Sequence, residues 1–299
     1  MHTLFHISKI SVTSYMLLLA CSLPTDPIGG EVIASRIRVS VVDDLTTPER
    51  TVGLLLETEE EYNEMIIKAD AERSGRKFII RIRALEPEPE YGVIGVGEPL
   101  PAWTVVNLGP LETGCYLLEF RMLHPFEFNG LPGIIRLTVT DECYSLSESS
   151  GFLIYPDPQL IRPLPPDVLW GHILTGSRFI WESFLDSLRT VGVTPAEMAE
   201  GDYGSYLETS HGPRTSTFII TPNQELIPTS RFRYPRDSPG YFILHYRDSI
   251  SPFLSVLRSY VNTYGQYRQG KWHPALHVTF HTSSGEYYES WNLVTRGAR

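Results

Sequence analysis

Histidines gather late in the chain, at His245, His273, His277 and His281. Imidazole ligates metals and moves protons near neutral pH, which makes these positions candidates for chemistry. In His277-Val-Thr-Phe-His281 a helix would bring both rings onto one ion, but the β-branched and aromatic filling reads as a strand. At about 3.3 Å per residue the two Cα atoms would lie roughly 13 Å apart on one face, too far for one ion with bonds near 2 Å. No metal is assigned. A catalytic set of His245, His277 and Asp202 would suit hydrolysis, provided the three converge within about 10 Å in a cleft. Asp202 sits in Glu-Gly-Asp-Tyr-Gly, which also reads as a turn after a helix. Trp272, Tyr287 and Trp291 could form a binding patch, and alternation along an edge hairpin explains them equally well.

Other chemistries lack their residues. There is no Gly-x-Ser-x-Gly, no His-Glu-x-x-His and no Cys-x-x-Cys, and Gly92-Val-Ile-Gly95-Val-Gly97 does not have dinucleotide-binding spacing. Glu59-Glu60-Glu61 lacks calcium-ligand spacing and reads as a solvated run. No cofactor is implied.

The elements that must hold the late residues change character along the chain. After Pro166, Ile180, Trp181, Phe184, Leu185 and Leu188 recur at helical spacing, which predicts a helix from about Ser177 to Thr190. A second helix is expected from Pro252 to Tyr264, and strands over 215–221, 241–246 and 275–282, with Glu286 to Val294 as a hairpin partner for the last. This order predicts an α+β domain over 167–299, of ferredoxin-like type if Val168 to Leu174 is its first strand. Pro156, Pro158, Pro163, Pro165 and Pro166 predict an extended linker over 156–166.

Before the linker the period is two. Ile37, Val39 and Val41 alternate with Arg36, Arg38 and Ser40, and further strands are expected at 52–56, 103–107 and 134–140. Glu57 to Arg73 is rich in Glu, yet Ile67, Ala69 and Ala71 alternate with charged residues up to Ser74-Gly75, so 65–83 reads as a β-hairpin. Leu111-x-x-Gly114-x-Tyr116 resembles the tyrosine corner of Greek-key sandwiches, in which the tyrosine hydroxyl bonds back to nearby backbone. The resemblance implies an all-β, immunoglobulin-like sandwich over 31–155, with Tyr116 in a structural role.

The start of the chain addresses the protein. An apolar run from Ile10 to Ala20, preceded by Lys9, is shorter than the roughly 20 residues that cross a bilayer. It ends in Leu18-Leu19-Ala20-Cys21, which resembles the lipobox of bacterial lipoproteins. The resemblance implies a signal peptide over 1–20, lipid on Cys21, a tether over 21–30, and a place in the cell envelope, at the outer membrane or cell surface. Cys115 and Cys143 then remain as a candidate disulfide, closing a loop of roughly 28 residues worth on the order of 3 kcal/mol, with two buried free thiols as the other reading.

The 299 residues are 42% hydrophobic and 11% aromatic, the make-up of a folded chain, and the net charge of −10 argues against nucleic acid. The expected protein is a non-enzymatic binding or structural module held at the membrane by its lipid, with a protein or glycan partner. The alternative is an envelope hydrolase or metal-dependent enzyme with its site in the C-terminal domain.

Overall fold

The computed structural model describes residues 33, 35–46, 51–63, 65–87, 99–122, 132–147, 150–153, 160–175, 177–209, 212–229, 240–264, 266–268, 271–273 and 276–290. The expected signal peptide, Cys21, the tether and Trp291 lie outside them.

The first half is built of strands β1 (Ile37–Asp44), β2 (Thr51–Tyr62), β3 (Met65–Ser74), β4 (Lys77–Pro87), β5 (Leu100–Asn107), β6 (Gly114–Met122), β7 (Gly133–Val139), β8 (Tyr144–Ser147) and β9 (Leu160–Arg162). The expected hairpin is present. β3 and β4 pair antiparallel from Met65↔Pro87 to Ser74↔Lys77, with Gly75 turning at φ +62°. Its outer face carries cross-strand ion pairs, Lys68 to Glu86 at 2.6 Å and Arg83 to Asp70 at 2.5 Å, which explains the many charges that imitate a helix.

The second half contributes β10 (Val168–Thr175), helix α1 (Arg178–Thr190), β11 (Thr194–Pro195), β12 (Gly201–Thr209), β13 (Gly212–Ile220), β14 (Leu226–Pro228), β15 (Gly240–His245), helix α2 (Ser251–Tyr264), β16 (Gln266–Arg268), β17 (Lys271–His273), β18 (Leu276–Thr282) and β19 (Tyr287–Glu289).

These elements are not a β-sandwich followed by an α+β domain, ferredoxin-like or otherwise. One mixed sheet of 12 strands runs β1-β2-β5-β3-β4-β6-β7-β8-β9-β12-β13-β14, and a second sheet of five runs β11-β15-β10-β18-β19. β1 also pairs with β12, in parallel through Asp43↔Ser205 and Asp44↔Tyr206, so the large sheet closes on itself and β13 and β14 extend from the closure. β9, inside the Pro-rich stretch, pairs with β8 on one side and β12 on the other. Ladder hydrogen bonds therefore run through the stretch read as a linker. The parallel pairings β4–β6, β9–β12 and β1–β12 join distant segments, and alternation within a strand carries no information about such partners.

The described residues form three apolar clusters. The largest takes one face of the strands from β1 to β9, including Ile37, Leu54, Phe78, Tyr116, Phe120 and Leu137. The second lies under the helices, where Phe184 of α1 meets Phe253 of α2 at 6.0 Å between ring centroids and both rest on Phe242, Val278 and Phe280. Each such side chain contributes about 2 kcal/mol when fully buried. The third, with Trp170, Tyr203, Leu207 and Phe218, joins the five-stranded sheet to β12 and β13.

Tyr116 is buried and its hydroxyl donates to the Glu112 carbonyl at 2.9 Å, as expected of a tyrosine corner. The same turn occurs again. In Met198-x-x-Gly201-x-Tyr203 the Tyr203 hydroxyl donates to the Ala199 carbonyl at 2.8 Å. Gly114 and Gly201 both open their strands, at φ +147° and +139°, a region favouring glycine. Asp202 and Tyr203 thus begin a strand and are not a loop, because the turn ends one residue earlier, at Gly201.

Cys115 and Cys143 are both free thiols, so the expected bridge is not formed. Cys115 lies on β6 opposite Thr138 of β7, and Cys143 leads into β8 on the far side of β7. Strands flanking a common neighbour are roughly 9.5 Å apart, beyond the ~7 Å that a disulfide spans.

Candidate functional site

The five-stranded sheet has two unlike faces, set by the register of its strands. Leu169, Ile173, Phe242, Leu244, Val278 and Phe280 point toward the helices. The intervening residues point the other way, toward β13 and β14. Trp170, His172, Tyr241, Thr279, His281 and Tyr287 meet Arg214, Thr215, Ser216, Phe218, Leu226 and Pro228 there, and together with Gly171 they line an open cavity of about 50 Å³.

Two rows of cross-strand neighbours build the sheet side. In one, Tyr241 of β15, His172 of β10, Thr279 of β18 and Glu289 of β19 lie in register. In the next, Ile243, Trp170, His281 and Tyr287 do the same. Close approach is possible because Gly171 has no side chain, and a Cβ there would fall 2.1 Å from the Thr279 carbonyl oxygen.

The side chains are held by one another. The Trp170 indole N–H donates to Ser216 Oγ at 3.1 Å, fixing β10 to β13. His281 stacks on Trp170 with ring centroids 5.6 Å apart and planes 9° from parallel, and Tyr287 covers its other side at 5.1 Å. The Arg214 guanidinium carbon lies 5.7 Å above the Tyr287 ring, a cation–π arrangement. The Tyr287 hydroxyl donates to Glu289. His172 faces Tyr241 at 6.4 Å and His277 at 6.2 Å.

These surroundings keep the imidazoles neutral. Burial pushes His172 down to about 4, with His277 adding to the effect. Burial pushes His281 down to about 3, helped by Arg214 and His172. His277 is lowered by burial and raised in part by Glu289. Its Nδ1 is out of solvent, as is that of His281, which accepts from and donates to nothing among the described residues. Burial also raises the Tyr241 hydroxyl.

The residues singled out from sequence separate. His245 pairs with Val168 at one end of β10 and His277 with Leu174 near the other, six residues or roughly 20 Å along the strand. His245 is exposed. Asp202 pairs with Ile219 and points to the face of β12 opposite Tyr203, whose ring stacks on Phe218 at the cavity wall. The set His245, His277 and Asp202 does not converge. Among the described residues no group of three or more His, Cys, Asp or Glu is placed to hold a metal ion. Trp272 lies on β17, opposite Tyr267 of β16. Of the three aromatics, Tyr287 is described in full, and it is a cavity residue.

His172 and Arg214 were not singled out from sequence. The alternation Trp170, His172, Leu174 against Leu169, Gly171, Ile173 marks a strand with a polar side, a signal from which His172 is readable. Arg214 had none, since its strand is joined to β10 only by tertiary packing.

Comparison with protein-family models, with curated proteins and with solved structures returns no match for this chain. No helix among the described residues is long and apolar enough to cross a membrane.

Proposed function

We propose that this is a binding protein of the cell envelope, tethered by lipid on Cys21, that takes a small ligand in the cavity between the five-stranded sheet and β13–β14. The observation that carries the reading is the lining itself: aromatic rings, hydroxyls, neutral imidazoles and the Arg214 guanidinium, with no carboxylate among the described lining residues. Acid–base hydrolysis needs a paired donor and acceptor of matched pKa, and this cavity offers none. Stacked and hydrogen-bonded walls suit recognition.

The tether rests on the Leu-Leu-Ala-Cys21 pattern. Labelling with a clickable palmitate analogue, beside Cys21→Ser, tests it, and label on neither protein overturns it. The cavity is tested with a fluorinated fragment set followed by ¹⁹F NMR. Leu226→Trp, at a half-buried position of the edge strand β14, adds bulk to the lining. Fragments that bind the native protein and are lost from a folded Leu226→Trp support the reading. Hits that persist unchanged place the binding elsewhere and sink it.

A further inference from the structure

We infer that the ligand is an anion on an aromatic or apolar body, a small aromatic carboxylate in chemical class, and that its binding takes up a proton from solvent onto the His172–His281 pair. This rests on the cavity reading above.

The anion follows from charge. The chain as a whole carries −10, yet among the described lining residues the formally charged side chain is a cation, Arg214. Guanidinium stays charged at all accessible pH and its planar fork matches a carboxylate. A cationic ligand would meet Arg214 at close range in a confined space. The body follows from the walls, where Trp170, Phe218, Tyr241, Tyr287, Leu226 and Pro228 offer rings and apolar edges.

The proton follows from the groups that face the pair. Against His281 stand Arg214 from β13, His172 from β10 and Tyr287 from β19. Against His172 stand Tyr241 from β15 and His277 from β18. Glu289, the nearby carboxylate on β19, is engaged by Tyr287 and lies beside His277. Burial, with Arg214 beside His281, keeps both imidazoles unprotonated at neutral pH. An anion seated beside Arg214 offsets the cationic field and favours imidazolium, which raises the pair's affinity for a proton. By linkage, the ligand then binds more tightly as pH falls.

The test uses 4-fluorobenzoate and its neutral analogue 4-fluorobenzamide, titrated into the full chain by ¹⁹F NMR at pH ~7.5 and ~5.5. The benzoate is already ionised throughout this range. Expected are binding of benzoate over benzamide, at least about threefold tighter at the lower pH, and loss of benzoate binding in Arg214→Gln. In His172→Gln with His281→Gln the ratio of benzoate affinity at pH ~5.5 to that at pH ~7.5 falls to about one, whatever the affinity at pH ~7.5. Equal binding of the two probes leaves the cavity reading standing and overturns the anion. A pH gain that survives in the histidine variants overturns the proton uptake. Failure of both probes on a protein that also shows no fragment hits overturns the cavity reading itself.

Discussion

The backbone N–H of Leu164 donates to Oδ2 of Asp43 at 2.6 Å, joining residues 121 positions apart in the chain. The other oxygen of the same buried carboxylate accepts from the Tyr144 hydroxyl at 3.2 Å. Asp43 therefore ties β1, β8 and the approach to β10 where the large sheet closes. Asp43→Ala strands two buried donors and is expected to cost about 3 kcal/mol or more, against about 1 kcal/mol for Tyr144→Phe. Urea unfolding of the two variants checks the order, and equal losses would remove Asp43 from this role.

The two tyrosine corners make a matched pair. Tyr116→Phe and Tyr203→Phe each delete one hydroxyl bond to backbone and should each cost about 1 kcal/mol. Their rings belong to separate apolar clusters, so the double variant should lose the sum within about 0.5 kcal/mol. A markedly larger combined loss would mean that the corners are coupled.

Stability should fall with acid before ordinary carboxylates titrate. Both imidazoles have an ordinary value of 6.5, while in the fold His172 titrates at about 4 and His281 at about 3. Between those limits the unfolded chain binds more protons, so acid favours unfolding. The contribution is complete above pH 6.5 and is eroded down to about 4 and 3. The urea midpoint should drop between pH ~6.5 and ~5, with a shallower drop in His172→Gln. A flat midpoint in the native protein would show that the rings are not held neutral.

Two reactive thiols are expected in the folded part of the chain. Cys115 is exposed, its Sγ lying 3.7 Å from Thr138 Oγ1, and Cys143 is half-buried beside Thr140 Oγ1 at 3.4 Å. Iodoacetamide without reductant should modify both, read by peptide mass. A Cys115–Cys143 peptide linked under the same conditions would restore the bridge and require β7 to move.

The chain itself determined its elements. Period-two alternation locates β1, β3 and β4, β-branched and aromatic runs locate β7 and β18, period 3.6 locates both helices, and Leu111-x-x-Gly-x-Tyr116 announces a turn whose hydrogen bond forms as expected. Those are local matters, settled by which face of each element is apolar and by which residues tolerate a positive φ. The second corner, Met198-x-x-Gly201-x-Tyr203, has the same spacing and is legible in the same way. Tertiary structure decided the partners. Nothing near Asp43 indicates that β12 lies beside it, because a parallel pairing is chosen by the closure of the whole sheet. The cavity has the same origin. His172 and His281 become neighbours through the register Trp170↔His281, and Arg214 reaches them only because the third apolar cluster packs one sheet on the other. Hydrophobic period is written within an element, whereas register and the packing of distant strands are settled jointly by all of them.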